Sequence, residues 1–371
     1  MYLFFRSRPG FFICFISLWI SNCKQTRLQE YWMNDVSIHT YGRTALNEKN
    51  ELRLITSASG VSFDFEGDSC IIWFKNLTGS GNHGYVVIES DSAYYKRIKI
   101  LDTSTQRVSV YGLKKQRIHQ VNIIKATEAS NGDIAVQKIE AQKILARNQF
   151  PKTKIEFIGN SITCGMGNDT LEIPCGSGQW YDQHNAYYSY ASIAARTLNL
   201  EPMLSSVSGI GIYRCWNVDC PAMPDVYENF QLGTDSTNRW DFSRWTPDIV
   251  SICLGTNDFS DGDGVHERKP FDSVIFIHQY LDFIQRIYTH YPHTQIVLLT
   301  SPMLHGIKAA ALYRLLNTIA LQINASNKNK PGIQTFQFLP MQATGCATHP
   351  SKAEHQVMAD QLIPFLKSII K

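Results

Sequence analysis

Two side chains far apart in the sequence have the chemistry of a nucleophile and its base. Ser161 lies just after the strand-like run 154–158, with Gly159 at the turn, and His349 lies near the C-terminus. A serine hydroxyl is a poor nucleophile until a base removes its proton, and a strand-to-loop junction exposes such a hydroxyl on a rigid support. We therefore predict that Ser161 is a nucleophile and that His349 is its general base.

A third polar group follows a second apolar run. Asn257 comes three residues after the run 249–254, and its side-chain amide can donate a hydrogen bond to a developing oxyanion. Catalytic groups of parallel sheets collect beyond the carboxyl ends of the strands. We therefore expect Ser161, Asn257 and His349 to face one pocket.

Four short blocks occur in a fixed order along the chain, at 159–162, 208–211, 255–258 and 348–351. In this order, each beside an apolar or helix-like run, they resemble the four blocks of SGNH/GDSL hydrolases. Further details are similar to family 2 carbohydrate esterases, which are two-domain deacetylases of plant polysaccharides. These details are Gly-Thr-Asn-Asp-Phe-Ser at 255–260, Thr-Pro-Asp at 246–248, Tyr-Pro at 291–292 and His-Pro-Ser-Lys-Ala-Glu-His at 349–355.

The resemblance implies an oxyanion hole with three donors. The positions that match the family's are the backbone N–H of Ser161, the N–H of Gly209 and the side-chain amide of Asn257, with Gly211 as the alternative glycine. Glycine lets a backbone approach the substrate closely. The alternative interpretations are an ordinary loop glycine at 209 and an Asx turn at 257.

The acid that usually orients the histidine is missing. GDSL enzymes usually carry Asp three residues before the histidine, or two in many relatives of this subfamily, and these positions hold Cys346 and Ala347. Glu354 falls on a predicted helix and is expected to point elsewhere. We therefore predict a Ser–His dyad whose imidazole is held by a backbone carbonyl. Asn160 replaces the usual Asp before the serine, and because Asn can form part of the same hydrogen bonds, we do not expect it to inactivate the site.

The N-terminal part of the chain has a β-type pattern. Short β-type runs bounded by Gly, Asn, Asp or Ser predict an all-β sandwich over residues 31–146. The clearest runs are 61–65, 70–74, 85–89 and 120–124. The family resemblance implies a jelly roll, because members carry short signatures similar to those at 42–43, 112–113 and 125–128.

A different pattern follows the linker at 146–153. Apolar strands at 154–158, 249–254 and 295–300 alternate with helical runs near 187–198, 272–290, 307–326 and 351–370. This alternation predicts a parallel sheet flanked by helices over residues 153–371, which the resemblance identifies as the α/β SGNH-hydrolase fold. In the last helix an apolar stripe of Ala353, Val357, Met358 and Leu362 is expected to anchor His349 near the sheet.

Residues 1–23 have the features of an export signal. Two arginines precede the apolar run 11–20, which is too short to be a permanent membrane helix. The segment ends in Ile-Ser-Asn-Cys, which is similar to a bacterial lipobox. We therefore expect a lipoprotein of the periplasm or outer cell surface, held to the membrane only by a lipid anchor at Cys23, and plain secretion is the alternative.

Composition excludes several kinds of partner. A formal charge of +3 over 371 residues, without a basic run, gives no basis for nucleic-acid binding. The nine cysteines include no Cys-x-x-Cys pair, so we expect no metal. In an oxidising compartment Cys215 with Cys220, or Cys164 with Cys175, can close a disulfide. Buried free thiols are the alternative.

These features predict an exported carbohydrate O-acetyl esterase that acts on plant polysaccharides such as xylan or glucomannan and needs no cofactor. One alternative is an SGNH lipase or thioesterase that acts on longer acyl esters. Another is a carbohydrate-binding lipoprotein with an inactive hydrolase domain. Aromatic rings suit the apolar faces of sugars, although they are more often core. The loop aromatics that we consider are Trp180, Tyr181, Tyr213, Trp216, Trp240 and Trp245.

Overall fold

The chain folds into two regions of different architecture. The computed structural model describes residues 27–79, 81–101, 104–147, 149–218 and 220–370, so the predicted signal segment and Cys23 lie outside the described residues. The strands of the first region are β1 Gln29–Trp32, β2 His39–Tyr41, β3 Thr44–Leu46, β4 Leu52–Leu54, β5 Gly60–Glu66, β6 Ser69–Asn76, β7 His83–Ser90, β8 Ala93–Leu101, β9 Gln106–Tyr111, β10 Ile118–Lys125, β11 Ile134–Ala141 and β12 Lys143–Leu145.

Two antiparallel sheets form this first region. One has the order β3-β4-β11-β6-β9, with β1 also paired to β11, and the other has the order β12-β5-β10-β7-β8, with β2 also paired to β5. Alternate residues of β5, namely Val61, Phe63 and Phe65, are fully buried, because one face of the strand packs on the opposing sheet. The predicted β-sandwich is confirmed.

The second region is a parallel sheet with the order β14-β13-β15-β16-β17. Its strands are β13 Lys154–Gly159, β14 Glu201–Ser206, β15 Ile249–Cys253, β16 Gln295–Leu299 and β17 Gln334–Phe336, and its helices are α1 Ser161–Cys164, α2 Tyr190–Thr197, α3 Met223–Val226, α4 Ser273–His290, α5 Gly306–Ser326 and α6 Lys352–Ile369. This arrangement confirms the predicted α/β fold.

Helices cover both faces of the parallel sheet. Ile252 and Leu298 belong to the apolar cluster that contains the buried faces of α4 and α5, whereas their neighbours Cys253 and Leu299 belong to the cluster of α2 and α6. A strand that is buried on both faces leaves only its ends open to solvent. Function must therefore lie in the loops at an edge of this sheet.

Buried cations of the sandwich hold loops of the second region. Arg43 is fully buried and donates to Tyr227 O at 2.8 Å and to Asn229 O at 2.9 Å. Arg97 donates to two carbonyl oxygens of the loop 182–184, at 2.6 and 2.9 Å. The two regions therefore share a hydrogen-bonded interface, and the sandwich directly supports loops of its neighbour.

Some sequence predictions differ from the structure in detail. The helix predicted from 187 begins at Tyr190, because a 3₁₀ turn precedes it, and β14 and β17 were not predicted. The stripe on α6 is wrong at Ala353, which is exposed, and at Val357, which is half exposed, although Met358 and Leu362 are buried. The sandwich strands span 29–145 and β13 begins at residue 154. In the described part of the chain, every helix is too short or too polar to cross a bilayer.

Candidate active site

Ser161 is the first residue of α1 and directly follows the end of β13. Asn160 caps this short helix, with its side-chain oxygen accepting a hydrogen bond of 3.1 Å from Ile162 N. Position 159 must be glycine, since an added Cβ would lie 2.1 Å from Thr163 Oγ1. The first amides of a helix have no acceptor within the helix. The N–H of Ser161 can therefore donate to a ligand beside its own hydroxyl.

His349 lies in hydrogen-bonding contact with Ser161 although 188 residues separate them. Its Nε2 is 2.8 Å from Ser161 Oγ, and its Nδ1 is 2.8 Å from Ala347 O. A carbonyl oxygen can only accept, so Nδ1 carries the proton and Nε2 presents a lone pair to the serine hydroxyl. The contact between Nδ1 and a backbone carbonyl is the one that the sequence predicted.

The carbonyl that holds the imidazole belongs to an unusual turn. Cys346–Thr348 is a 3₁₀ turn in which Ala347 has φ 50° and ψ 40° and Thr348 has φ 57°. A left-handed backbone at residues other than glycine costs roughly 1–2 kcal/mol for each residue. It persists where the surroundings hold it. One such restraint is the hydrogen bond of 2.9 Å from Cys346 N to Gly167 O, in the loop that follows the nucleophile helix.

Glu354 does not replace the missing acid. Its carboxylate accepts hydrogen bonds from Ser351 N at 2.7 Å and from Thr344 N at 2.9 Å, so it caps the N-terminus of α6. The hydrogen bonds and ion pairs of the described residues join no carboxylate to the imidazole of His349. The imidazole of His349 is held by a main-chain oxygen instead.

The surroundings keep His349 in its neutral form. Burial lowers the pKa of His349, and the hydrogen bond to Ala347 O and the charge of Glu128 partly offset this effect. His184 and His355 lie close enough to interact with His349, and burial lowers the pKa of each to about 3. Because a base must be unprotonated to accept a proton, His349 is ready to act at neutral pH.

The loops after β14 and β15 reach the same edge of the sheet as Ser161. Val207 N donates to Gly159 O at 3.3 Å, and Asn257 Nδ2 donates to Ile210 O at 2.7 Å. The latter bond joins the two loops and fixes the amide of Asn257. Since an amide carries two N–H groups, the second can donate to an oxyanion.

The structure distinguishes between the two glycines that could supply an N–H group to the oxyanion. Gly209 has φ +80°, and an added Cβ would lie 3.1 Å from Trp216 Cδ1. At Gly211 the added Cβ would lie 2.4 Å from both Arg214 O and Asp258 Oδ2. Packing against Asp258 explains why residue 211 is glycine. Gly209 is thus the better candidate for an oxyanion donor.

A carboxylate of the sandwich that was not predicted from the sequence to take part in the site reaches this loop. Glu128 is 1 % exposed, and its Oε2 accepts hydrogen bonds from Ser208 N at 3.0 Å and from Ser208 Oγ at 2.6 Å. Burial, and after it the charge of Glu128, raises the pKa of Cys164 in α1. Glu128 therefore contacts the loop before Gly209 and interacts electrostatically with a residue of α1. The signature at 125–128 was the signal that could have identified it.

Of the two disulfide pairings that the sequence allowed, the structure contains one, and a different pairing replaces the other. Cys175 is bonded to Cys346, with the Cα atoms 5.2 Å apart, and Cys164 is a buried free thiol. The pairing of Cys164 with Cys175 is therefore wrong. Cys215 and Cys220 are paired, as the sequence allowed.

The aromatic side chains of the loops differ in how far they are exposed to solvent. Trp180 and Trp216 are 49 % and 41 % exposed, whereas Tyr181, Trp240 and Trp245 are buried. Trp216 packs against Gly209, and Trp180 lies edge-on to His184 with ring centroids 4.9 Å apart. The two exposed indoles are therefore the candidates for sugar contact near the site.

Comparison with known proteins agrees with this geometry. The family model described as "GDSL-like Lipase/Acylhydrolase family" matches residues 157–357. The chain belongs to this family. A second model, "Carbohydrate esterase 2 N-terminal", matches residues 40–147, so this GDSL hydrolase has the two-domain plan of family 2 carbohydrate esterases. It is a carboxylic ester hydrolase.

Similar proteins cover nearly the whole chain. An acetylxylan esterase / glucomannan deacetylase of Cellvibrio japonicus is 28% identical over 91% of this chain and 90% of its own length. Cellulase/esterase CelE of Acetivibrio thermocellus is 30% identical over 88% of this chain, which spans 39% of that longer protein. The structure of a family two carbohydrate esterase from Clostridium thermocellum in complex with cellohexaose is 28% identical, with a TM-score of 0.78 over 89% of this chain and 98% of that one.

Proposed function

We propose that this GDSL hydrolase is an exported O-acetyl esterase that removes acetyl groups from plant polysaccharides such as xylan or glucomannan. The observation that carries the proposal is the hydrogen bond of 2.8 Å between Ser161 Oγ and His349 Nε2. It lies within a fold shared with acetylxylan esterases. A neutral imidazole aimed at a serine hydroxyl is the arrangement that nucleophilic catalysis needs, and it argues against a binding protein without activity.

In the first half of the reaction the serine takes the acetyl group. Ser161 Oγ attacks the acetyl carbonyl carbon while its proton passes to His349 Nε2. The oxyanion that forms accepts hydrogen bonds from the N–H groups of Ser161 and Gly209 and from Asn257 Nδ2. The carbon–oxygen bond to the sugar then breaks, and the imidazolium returns its proton to the departing sugar oxygen.

In the second half water releases the acetyl group. His349 Nε2 removes a proton from a water molecule, which attacks the acetyl-enzyme through a second oxyanion at the same donors. Collapse of this intermediate frees acetate and returns the proton to Ser161 Oγ. Throughout the cycle Ala347 O keeps Nδ1 protonated, so Nε2 is the nitrogen that exchanges protons.

Two further features support a carbohydrate substrate outside the cytoplasm. The exposed indoles of Trp216, which packs against Gly209, and of Trp180, which lies against His184, offer apolar faces, and such faces stack on pyranose rings. The bonded cysteine pairs are typical of proteins from oxidising compartments. The export signal predicted for residues 1–23 is consistent with both features.

Acetate release tests the proposal. The purified protein is incubated with acetylated xylan, acetylated glucomannan and a series of nitrophenyl esters of increasing acyl length, with Ser161→Ala as the control. We expect acetate from at least one polysaccharide and a preference for the nitrophenyl acetate. A preference for long acyl chains would favour the lipase or thioesterase, and sugar binding without acetate release would favour the inactive lipoprotein.

A further inference from the structure

A disulfide bond ties the turn 346–348, which precedes His349, to the rest of the molecule. It lies at a position where GDSL enzymes usually carry an acid. Cys346 stands three residues before His349 and begins the turn whose second residue, Ala347, accepts the hydrogen bond from Nδ1. Its sulfur is bonded to Cys175, which is 171 residues away in sequence. The bond therefore acts on the main-chain atom that orients the imidazole.

Several hydrogen bonds also act on this turn: Gly345 N donates to His349 O at 2.8 Å, His349 N to Cys346 O at 3.1 Å, and Thr344 N to the Glu354 carboxylate at 2.9 Å. The segment 337–345 before it contains neither helix nor strand, and the loop 165–185 that carries Cys175 contains no regular element either. Hydrogen bonds from Cys346 N to Gly167 O at 2.9 Å and from Lys352 N to Asn168 O at 3.0 Å connect the two segments. The net contribution of each hydrogen bond is modest, because folding exchanges it for a hydrogen bond to water. The disulfide adds a covalent restraint to these hydrogen bonds.

The partner loop is itself anchored to the folded body. Gln183 Nε2 donates to Pro174 O at 3.0 Å and to Ser177 O at 2.8 Å, on both sides of Cys175. The neighbouring Asp182 accepts a hydrogen bond of 2.9 Å from Tyr85 of the sandwich. The disulfide thus links the turn before His349 to a loop that the sandwich holds.

We propose that the Cys175–Cys346 disulfide is the positioning element that takes the place of the missing carboxylate, so that esterase activity depends on its being oxidised. The proposal rests on the proposed function of Ser161 and His349. An aspartate orients an imidazole by bonding to it directly. The disulfide orients the imidazole indirectly, because it holds the turn whose Ala347 O accepts the hydrogen bond from Nδ1.

Reduction by an external dithiol breaks this disulfide and so removes its hold on the turn. Cys175 is exposed whereas Cys346 is 7 % exposed, so a dithiol thiolate attacks the Cys175 sulfur and displaces the Cys346 thiolate. The second thiol of the reductant then closes its own disulfide and releases the Cys175 thiolate. The dithiol loses two electrons, and the two cysteines gain two electrons and two protons.

The first test compares oxidised and reduced wild-type protein at a temperature at which circular dichroism shows both folded. Dithiothreitol is the reductant, and the measurements are kcat and KM for nitrophenyl acetate and the rate at which a fluorophosphonate labels Ser161. We expect kcat and labelling to fall about 10- to 100-fold, as a displaced catalytic group predicts. KM should change little, and reoxidation should restore the rate. Reduced folded protein that retains its rate within about twofold would overturn the proposal.

Substitutions identify the responsible bond. Cys175→Ser should reproduce the reduced rate and be insensitive to dithiothreitol, whereas a Cys215→Ser/Cys220→Ser double variant should still lose rate on reduction. In Cys175→Ser, the added change Cys346→Asp supplies a carboxylate at the position where the family carries it. We expect it to restore at least about a tenth of the lost kcat, independently of redox state. Loss without rescue would indicate a merely structural bond and overturn the proposal.

Failure of the proposed function gives a different result. If the protein releases no acetate from any substrate but labelling of Ser161 still falls on reduction, the disulfide positions His349 and the substrate assignment is wrong. If acetate is released, and if reduction changes neither kcat nor the labelling rate of Ser161, the substrate assignment stands and the disulfide has no positioning role.

Discussion

Replacing Glu128 by Gln tests whether the sandwich takes part in catalysis. The carboxylate holds Ser208 through two hydrogen bonds to Oε2, and Oε1 accepts from Ser130 Oγ. An amide has a single acceptor oxygen, which can still serve Ser208, while its NH₂ can face the Ser130 hydroxyl, because a hydroxyl also accepts. We therefore expect Glu128→Gln to fold and to lose mainly the negative charge.

The size of the effect follows from the bonds that change. A hydrogen bond to a charged group contributes about 1.5–3 kcal/mol and one to a neutral group about 0.5–1.5 kcal/mol. The two bonds from Ser208 therefore weaken by about 2 kcal/mol together. If the whole loss appears in the transition state, through a less firmly held Gly209, kcat/KM falls about 30-fold. This value is an upper bound for the substitution, since part of the loss can fall on stability.

The charge has a second effect, on His349. Glu128 raises the pKa of His349, and the other ionisable neighbours identified, His184 and His355, are neutral above about pH 3. Removing the charge must lower that pKa further. The acid limb of the rate profile, where protonation of His349 stops the reaction, should thus move to lower pH in Glu128→Gln.

The assay is a pH series of kcat and kcat/KM for nitrophenyl acetate, with Glu51→Gln as the matched control. Glu51 is a buried sandwich carboxylate that accepts from Asn47 and Gln137 within its own region. The control should affect stability and leave the rate profile in place. An acid limb that stays fixed or rises in Glu128→Gln, or an unchanged rate at every pH, would refute the reasoning.

Other changes should have the following effects. Ser161→Ala should abolish acetate release with the melting temperature nearly unchanged, and residual activity above about a tenth would contradict the nucleophile assignment. His349→Ala should be equally inactive, because the two residues act as one unit. The wild-type acid limb should have its midpoint below the usual imidazole value of 6.5, and a higher midpoint would mean that a carboxylate controls His349. Gly209→Ala should lower kcat at least about tenfold, since the residue has φ +80°, while normal activity would move the oxyanion role elsewhere. Cys23→Ser should release a membrane-held protein or block its processing, and a freely soluble wild type would contradict the lipid anchor.

Local sequence was sufficient for much of the architecture and for the proposed pair of Ser161 and His349. The strands around residues 61–65 and 249–254 and the long helices α4 and α5 follow from hydrophobic periodicity, which is a property of neighbouring residues. Ser161 and His349 follow from short blocks beside such elements. β14 was missed because Pro202 and its polar neighbours lack a strand pattern, and its place at the edge of the parallel sheet comes from pairing with β13.

Only the tertiary structure decided which distant groups meet at the site. The absence of acids at 346 and 347 favoured a carbonyl partner for His349, but the left-handed turn that supplies Ala347 O is not encoded by residues with that preference. Likewise, the pairing of Cys175 with Cys346 and the contact of Glu128 with Ser208 join segments 171 and 80 residues apart. Hydrophobic periodicity predicts which face of a helix or strand is buried, but it does not predict which other element that face contacts. Contacts between loops depend on how the sandwich docks on the sheet, and that is set by the whole fold.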